Sequence, residues 1–179
     1  MKKLARLAAL LLTLTLALGL FTACGGQQED DEGEVDTRNI ATAGGSISWP
    51  EGFALNERFS AGESGGTLYI SVNGIQNRAS GYFNIAGSSL TVVGQATTES
   101  ENRKEFRVTL WKETTGAREY VDTLYLKADG SCYTGSFTGL DAGARYKVGL
   151  AYDGGSYYLS GGVTVSGLVD EAAQAQKEA

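Results

Sequence analysis

Residues 145–153 alternate strictly between two kinds of side chain, and this alternation constrains the fold more than any other feature. The apolar positions are Tyr146, Val148, Leu150 and Tyr152, with charged or small residues between them. A repeat of two is the repeat of a β-strand with one buried face. Residues 67–73 and 105–113 alternate in the same way. The chain is therefore predicted to be all-β.

We predict eight or nine strands separated by turn signals, the pattern of an antiparallel β-sandwich. The predicted strands are residues 46–49, 67–73, 82–85, 90–97, 105–113, 120–127, 132–140, 145–152 and 157–168. The 25 glycines and the single proline suit many short strands joined by tight turns. Asp129-Gly130 is the strongest hairpin signal.

The spacing Leu140-x-x-Gly143-x-x-Tyr146 resembles the tyrosine corner of immunoglobulin-like and fibronectin type III-like sandwiches. The resemblance implies a single immunoglobulin-like antiparallel sandwich in which the Tyr146 hydroxyl binds backbone a few residues upstream. Asp141-Ala142 stands where fibronectin type III domains usually have proline, and there is no cysteine pair of the antibody type. A corner motif indicates a fold, not a function.

The N-terminus is typical of a bacterial export signal. Lys2, Lys3 and Arg6 form a basic start, and an apolar run extends to Phe21. Phe21-Thr22-Ala23-Cys24 resembles the lipobox of bacterial lipoproteins, although Phe21 replaces the usual leucine. The resemblance implies cleavage after residue 23 and a diacylated Cys24 that anchors the protein in the lipid bilayer of the cell membrane, on the extracytoplasmic side. An uncleaved membrane helix is the alternative.

The remaining chain divides by composition into a tether, a domain and a tail. Residues 24–38 contain the acidic run EDDEGEVD and are predicted to be a disordered tether. The sandwich is predicted for residues 39–169, and a short polar tail for 170–179. Thr37 to Val169 carry 11 basic and 12 acidic residues, so the domain lacks the basic character of a nucleic-acid binder.

Several chemistries are excluded by residue type. The chain contains no histidine, which removes histidine-activated nucleophiles and most zinc sites. No glycine-rich phosphate loop lies between a strand and a helix, so neither a nucleotide nor another cofactor or metal is predicted. Cys132 is predicted to be a small buried thiol. A hydrolase is the least favoured hypothesis, and would use pairs among Glu99, Glu101, Glu105, Glu113 and Glu119.

Aromatic residues are the strongest candidates for ligand contacts. Trp111 shares strand parity with Arg107 and Thr109, which places it on the polar face unless a bulge moves it into the core. Tyr69 also faces outward, as does one of Tyr157 and Tyr158. The predicted contact residues are therefore Trp111, Tyr69 and Tyr157. Trp49 is predicted to pack over one end of the sandwich.

These observations favour a non-catalytic binding module that acts near the membrane. The predicted ligand is an envelope glycan or an envelope protein, recognised through exposed aromatic rings. The alternative is a structural or assembly role, in which an exposed sheet edge accepts a strand from a partner.

Overall fold

The computed structural model describes residues 37–177, and within them twelve strands and one short helix are found. The strands are β1 Asn39–Ile40, β2 Thr42–Ala43, β3 Phe59–Ser64, β4 Thr67–Ile75, β5 Asn77–Ala79, β6 Phe83–Asn84, β7 Ser89–Thr98, β8 Glu105–Thr114, β9 Ala117–Lys127, β10 Asp129–Thr138, β11 Arg145–Ala151 and β12 Leu159–Ser166. The helix, α1, is Glu171–Lys177. No helix in residues 37–177 is long and apolar enough to cross a bilayer. The predicted signal peptide, Cys24 and the acidic run lie outside the described residues.

The strands form two sheets. Sheet I has the order β1-β9-β8-β11-β5, with β6 also paired to β11, and sheet II has the order β2-β10-β7-β12-β4-β3. All pairings are antiparallel except that of β1 with β9. The prediction of an all-β antiparallel sandwich is confirmed.

The order of the strands is that of a jelly roll. Without the short edge strands and β3, sheet II reads β4-β12-β7-β10 and sheet I reads β5/β6-β11-β8-β9. Only β8 and β9 are joined as a hairpin within this set; every other connection crosses to the opposite sheet. In immunoglobulin domains the strand that follows the tyrosine-bearing strand pairs with it in the same sheet. Here the tyrosine-bearing strand is β11 of sheet I, and the strand that follows it, β12, lies in sheet II. The resemblance therefore extends to the sandwich and the corner but not to the strand order.

The core fills the space between the two sheets. Its largest fully buried side chains are Tyr146, Phe106, Phe137, Ile70, Ile75, Ile85, Leu90, Leu110, Leu124, Leu126, Leu150 and Leu159. Apart from Ile85, which lies between β6 and β7, they occupy inward positions of β4, β7, β8, β9, β10, β11 and β12. Gly94 and Gly135 lie where a Cβ would overlap core side chains, Leu126 and Leu124 respectively. Glycine at these positions lets the two sheets approach closely.

The corner at Leu140–Tyr146 joins β10 to β11. The Tyr146 hydroxyl accepts a hydrogen bond from the Asp141 amide at 2.9 Å and lies 3.2 Å from the Asp141 carbonyl oxygen. Leu140 is buried, and exposed Gly143 donates its amide to the Asp141 carboxylate at 2.9 Å. The Gly143 amide and the Lys112 ammonium group hold the pKa of Asp141 below its usual value. The corner thus links the sheets, and both the backbone and the carboxylate of Asp141 are hydrogen-bonded in it.

Residues 39–44 connect the two sheets along one side of the sandwich. In sheet I, β1 pairs with β9, Asn39 with Leu124 and Ile40 with Tyr125. In sheet II, β2 pairs with β10, Thr42 with Thr134 and Ala43 with Tyr133. Ala41, between them, is buried and donates its amide to the Tyr125 carbonyl oxygen at 2.9 Å. This segment therefore covers the open side between β9 and β10.

Three local predictions are wrong. Residues 46–49 form no strand, because this segment lies across a sheet rather than within one. Asp129-Gly130 is not a hairpin turn: β9 and β10 belong to different sheets, and the positive φ of Gly130 (89°) accompanies a bulge at the start of β10. Cys132 is not buried, since it is partly exposed on the outer face of sheet II opposite Gln95.

Candidate binding cleft

A segment without regular structure, residues 44–55, crosses the outer face of sheet II, and we call it the strap. At its start the Gly44 amide donates to the Cys132 carbonyl oxygen at 2.9 Å. The Thr134 hydroxyl donates to the Gly44 carbonyl oxygen at 2.8 Å. Gly45 lies so close to Thr134 and Val93 that a Cβ would overlap the threonine hydroxyl. The strap is thereby fixed over β10 and β7.

Farther along, aromatic rings fix the strap over β12, β4 and β3. The Trp49 indole rests on Gly162 of β12, where a Cβ would overlap the ring. Trp49 and Phe53 stack with their centroids 5.1 Å apart, and each centroid is 6.1 Å from that of Tyr69 on β4. Phe53 also reaches Gly62 of β3. The two rings of the strap, each over a glycine and both against Tyr69, therefore cover the outer face of sheet II from β12 to β3.

Beside the strap lies a cleft of about 390 Å³. Its lining comprises Ile47, Trp49, Leu55, Ser71, Val72, Asn73, Gln95, Ala96, Thr97, Gly130, Ser160, Gly161 and Gly162. Trp49 and Leu55 form an apolar wall, and Leu55 is 44% exposed. The floor is the polar outer face of β4, β7 and β12. An apolar wall with a few fixed polar groups is the usual composition of a ligand site.

The polar groups of the floor are amides and hydroxyls held by neighbouring backbone. Gln95 donates from Nε2 to the Gly130 carbonyl oxygen at 3.0 Å. The Ser160 hydroxyl accepts from the Gly74 amide at 3.0 Å and lies 3.4 Å from Asn73 Oδ1. Thr97 donates to the Ser160 carbonyl oxygen at 3.4 Å. These groups are positioned in advance to exchange hydrogen bonds with neutral hydroxyl or amide groups of a ligand.

Charge is divided unequally between the two sheets. The strands of sheet II contain no lysine or arginine and only two acidic residues, Glu63 and Asp129. The strands of sheet I contain seven basic residues, namely Arg78, Arg107, Lys112, Arg118, Lys127, Arg145 and Lys147. Binding a charged ligand in the cleft would leave its charge without a partner, so the cleft suits an uncharged one.

Two of the three predicted contact residues lie on the sheet II side. Tyr69 is half-buried beneath Trp49 and Phe53, so it supports the strap instead of presenting a free ring. Tyr157 is 45% exposed and lines a second cavity, of about 460 Å³. This cavity shares Thr97 and Ser160 with the cleft, so Tyr157 lies at its extension.

Trp111 lies on the other sheet. It is half-buried on the outer face of β8, with the Arg118 guanidinium 4.5 Å above its ring and Tyr120 edge-on at 5.8 Å. A register shift occurs beside it, between Leu110 and Trp111, yet the indole remains outside the core. The structure therefore does not bring Trp111 together with Tyr69 and Tyr157.

The carboxylates considered for catalysis are dispersed. Glu105 binds Arg38 at 3.3 Å, and Glu113 binds Arg145 at 3.0 Å. Glu99 and Glu101 are exposed in the loop after β7, and Glu119 is exposed on β9. Within residues 37–177 no group of three or more cysteine or acidic side chains could hold a metal ion.

Sequence reasoning missed the strap and hence Trp49 and Phe53 as site residues. A signal was present, because residues 47–55 hold four large apolar side chains in a stretch of serine, glycine and proline. Large apolar residues in a predicted loop need a surface to cover them. The neighbouring Gly161-Gly162 pair could have indicated where a ring lies against a strand.

Comparison with known proteins gives only distant likenesses. No protein-family model matches the chain, and no curated protein matches it significantly. A solved carbohydrate-binding module, described as "CBM4 structure and function", aligns with a TM-score of 0.31 and 13% identity, over 63% of this chain and 75% of that one. The Glycosylation Associate Protein (Gap123) complex from Streptococcus agalactiae aligns with a TM-score of 0.34 and 11% identity, over 73% of this chain and 44% of that one.

Proposed function

We propose that this protein is a bacterial surface lipoprotein whose sandwich binds an uncharged envelope glycan, without a catalytic step, in the cleft beside the strap. The observation that carries the proposal is the pairing of an apolar wall at Trp49 and Leu55 with a floor of fixed amides and hydroxyls. A pyranose ring has an apolar face that packs on indole and a rim of hydroxyls that bind amides.

The absence of lysine and arginine from the strands of sheet II supports a neutral saccharide over an acidic protein segment. Its cleft continues toward Tyr157 and Tyr158, which are both about half exposed. Two adjoining cavities with shared lining residues would hold consecutive units of a chain. Affinity is therefore expected to rise with the number of sugar units until both cavities are filled.

The proposal is tested with the domain of residues 37–179, which forms a compact unit of its own and contains all residues of the described core. Calorimetric titration with neutral envelope polysaccharide compares Gln95→Ala with Thr91→Ala. Both residues are exposed on the outer face of β7, but only Gln95 lines the cleft. Loss of one positioned amide is expected to weaken binding about tenfold. Equal affinities for the two variants would refute the cleft as the site.

The lipid anchor at Cys24 rests on the residues Phe21-Thr22-Ala23-Cys24 and on the basic and apolar segments before them. Two acyl chains on this thiol would hold the domain stably at the bilayer surface. Cys24→Ala should move the protein from the membrane to the soluble fraction and remove the acyl mass. Retention in the membrane at unchanged mass would contradict lipidation.

One observation favours strand addition as a second candidate function. The Asn73 amide donates to the Arg58 carbonyl oxygen at 3.0 Å, so alternate residues of β3 pair inward with β4. The amides of Phe59, Ala61 and Glu63 then point away from the sheet, along an edge that no described strand covers. Ala61→Pro would remove an outward amide and abolish partner binding, whereas Ala61→Val would retain it.

A further inference from the structure

A transverse row of side chains crosses the outer face of sheet I, opposite to the face that carries the strap. Lys147 of β11, Trp111 of β8 and Tyr120 of β9 are direct neighbours in register. The Lys147 ammonium nitrogen lies 4.9 Å from the centroid of Tyr82, and the Arg118 guanidinium carbon lies 4.5 Å from that of Trp111. Each of these two cations is therefore positioned by an aromatic ring.

Neither cation is neutralised by a carboxylate. Arg107 and Arg145 of this face form ion pairs with Asp153 and Glu113, while Lys127, at the far end of β9, lies 6.0 Å from the centroid of Tyr133. Within residues 37–177 neither Arg118 nor Lys147 forms an ion pair, and each cation lies over an aromatic ring. A guanidinium stacked on indole keeps its N–H groups at the rim, where they can bind an oxyanion in a bidentate manner.

A cleft of about 390 Å³ lies beside this row, at the end of the β8–β9 hairpin. It is lined by Tyr82, Glu113, Thr114, Gly116, Ala117 and Arg118. The one carboxylate in the lining, Glu113, is already bound to Arg145 at 3.0 Å. An entering anion would therefore meet a neutralised acid and a guanidinium without an acidic partner.

We propose that this face, defined by Tyr82, Lys147, Trp111, Arg118 and Tyr120, binds an acidic polysaccharide through its carboxylate or phosphate groups. Lys147 and Arg118 lie on strands on either side of β8, and two strand spacings together with an offset of two residues along the strands separate their backbones by about 12 Å. Two cations at this separation suit successive charged units of a polymer. The rim of Tyr120, which is 54% exposed, is available to pack against a sugar ring.

The observations favour a polysaccharide over an anionic bilayer as the partner. Arg118 lines a shallow, open cleft, and the Arg118 guanidinium already covers one side of the Trp111 ring. Insertion into a bilayer interface would require freely projecting aromatic residues. A discrete oxyanion can enter the cleft without any of these rings moving.

The test uses residues 37–179 and polygalacturonate as the acidic probe, with its fully methyl-esterified form as the neutral control. Arg118→Gln and Lys147→Gln are compared with Arg58→Gln, which removes the same charge at an exposed position outside the strands of sheet I. We expect each of the first two variants to bind polygalacturonate about tenfold more weakly, and Arg58→Gln to change affinity less than twofold. Wild-type affinity should fall as salt is raised, and the methyl ester should not bind.

Three results would overturn the proposal. Equal weakening in Arg58→Gln would mean that the attraction depends on net charge alone. If the methyl ester bound as tightly as polygalacturonate, the oxyanion could not be the group that this face recognises. Absence of polygalacturonate binding, together with Arg118-dependent sedimentation with phosphatidylglycerol vesicles but not phosphatidylcholine vesicles, would assign the face to a lipid surface instead. Each variant should unfold at the wild-type urea midpoint, which confirms that affinity alone has changed.

Discussion

Trp49 lies directly on Gly162, and a single methyl group at that glycine would overlap the indole ring. Gly162 is itself buried, and the same Cβ would lie 3.0 Å from the Ile70 carbonyl oxygen. The strap can pack against sheet II at Gly162 only because β12 has no side chain at that position. The cleft therefore depends on a residue that contributes no functional group to it.

Gly162→Ala is expected to lift the strap and to expose Trp49. The free energy of unfolding should fall by about 1–3 kcal/mol, the usual cost of forcing a methyl group into a packed site. The Trp49 emission should shift to longer wavelength when measured in a Trp111→Phe background. Glycan affinity should fall as well, because Trp49 forms one wall of the cleft.

Gly87→Ala is the matched control for this substitution, because no atom lies within 4 Å of a Cβ at Gly87 and its φ is not positive. It should leave fluorescence and affinity unchanged. If Gly162→Ala behaved in the same way as Gly87→Ala, Trp49 would not rest on the sheet in solution.

Tyr146→Phe tests the corner. The substitution removes the hydroxyl that binds the Asp141 backbone, and leaves the Asp141 amide without its partner. We expect a loss of about 1–3 kcal/mol in urea unfolding. Tyr120→Phe, at an exposed tyrosine, should cost less than about 0.5 kcal/mol. Equal losses in the two variants would contradict a structural role for the corner hydroxyl.

Acid stability should depend on Tyr133. Its hydroxyl binds the Asp129 carboxylate at 2.7 Å and is the main cause of the lowered pKa of Asp129, assisted by the Ser131 amide. A carboxyl whose pKa is lowered by folding stabilises the protein above its unfolded pKa of about 4, and this contribution is lost as the pH falls through the folded value. Tyr133→Phe should therefore raise the pKa of Asp129 toward its usual value.

Carboxyl NMR titration measures this pKa directly, and urea unfolding at about pH 5 and about pH 2 measures its effect on stability. The variant should lose less stability between the two pH values than the wild type does. Tyr158→Phe, at an exposed tyrosine, should retain the wild-type difference. An unchanged pKa of Asp129 in Tyr133→Phe would show that the Ser131 amide suffices.

Trp111→Ala should separate the two faces of the sandwich. It removes the ring under Arg118, so binding of polygalacturonate should weaken, while binding of neutral glycan in the sheet II cleft should stay within twofold of wild type. Because the indole is half-buried outside the core, the free energy of unfolding of the variant should be about 1–2 kcal/mol lower than that of the wild type. Loss of neutral-glycan binding in a folded variant would return Trp111 to the contact residues of that site.

The strands with strict alternation could be predicted because their signal is local. In β11 the parity of Tyr146 and Val148 alone determines which side chains enter the core. The order of the strands could not be predicted in this way. It depends on pairings such as Val163 with Gly94 and Ile70, which join residues about 70 to 90 positions apart and leave no local pattern.

The site was less predictable than the fold. Parity places Tyr69 and Trp111 on outer faces, but parity does not tell which outer face is covered by another segment. Tyr69 lies beneath Trp49 and Phe53, and those two rings belong to a segment with no periodic signal. Irregular segments that pack on a sheet are specified by tertiary contacts, so their position follows only from the three-dimensional structure.

The way in which the chain enters the sandwich has a mechanical consequence. Any force applied to residues ahead of Thr37 reaches the domain through β1 and β2, which hold sheet I and sheet II respectively. Because β1 precedes β2 along the chain, the pull loads the pairing with sheet I first and reaches the pairing with sheet II only after β1 and buried Ala41 have left their places. Traction from this end is therefore expected to release the two short strands one after the other before the rest of the sandwich opens.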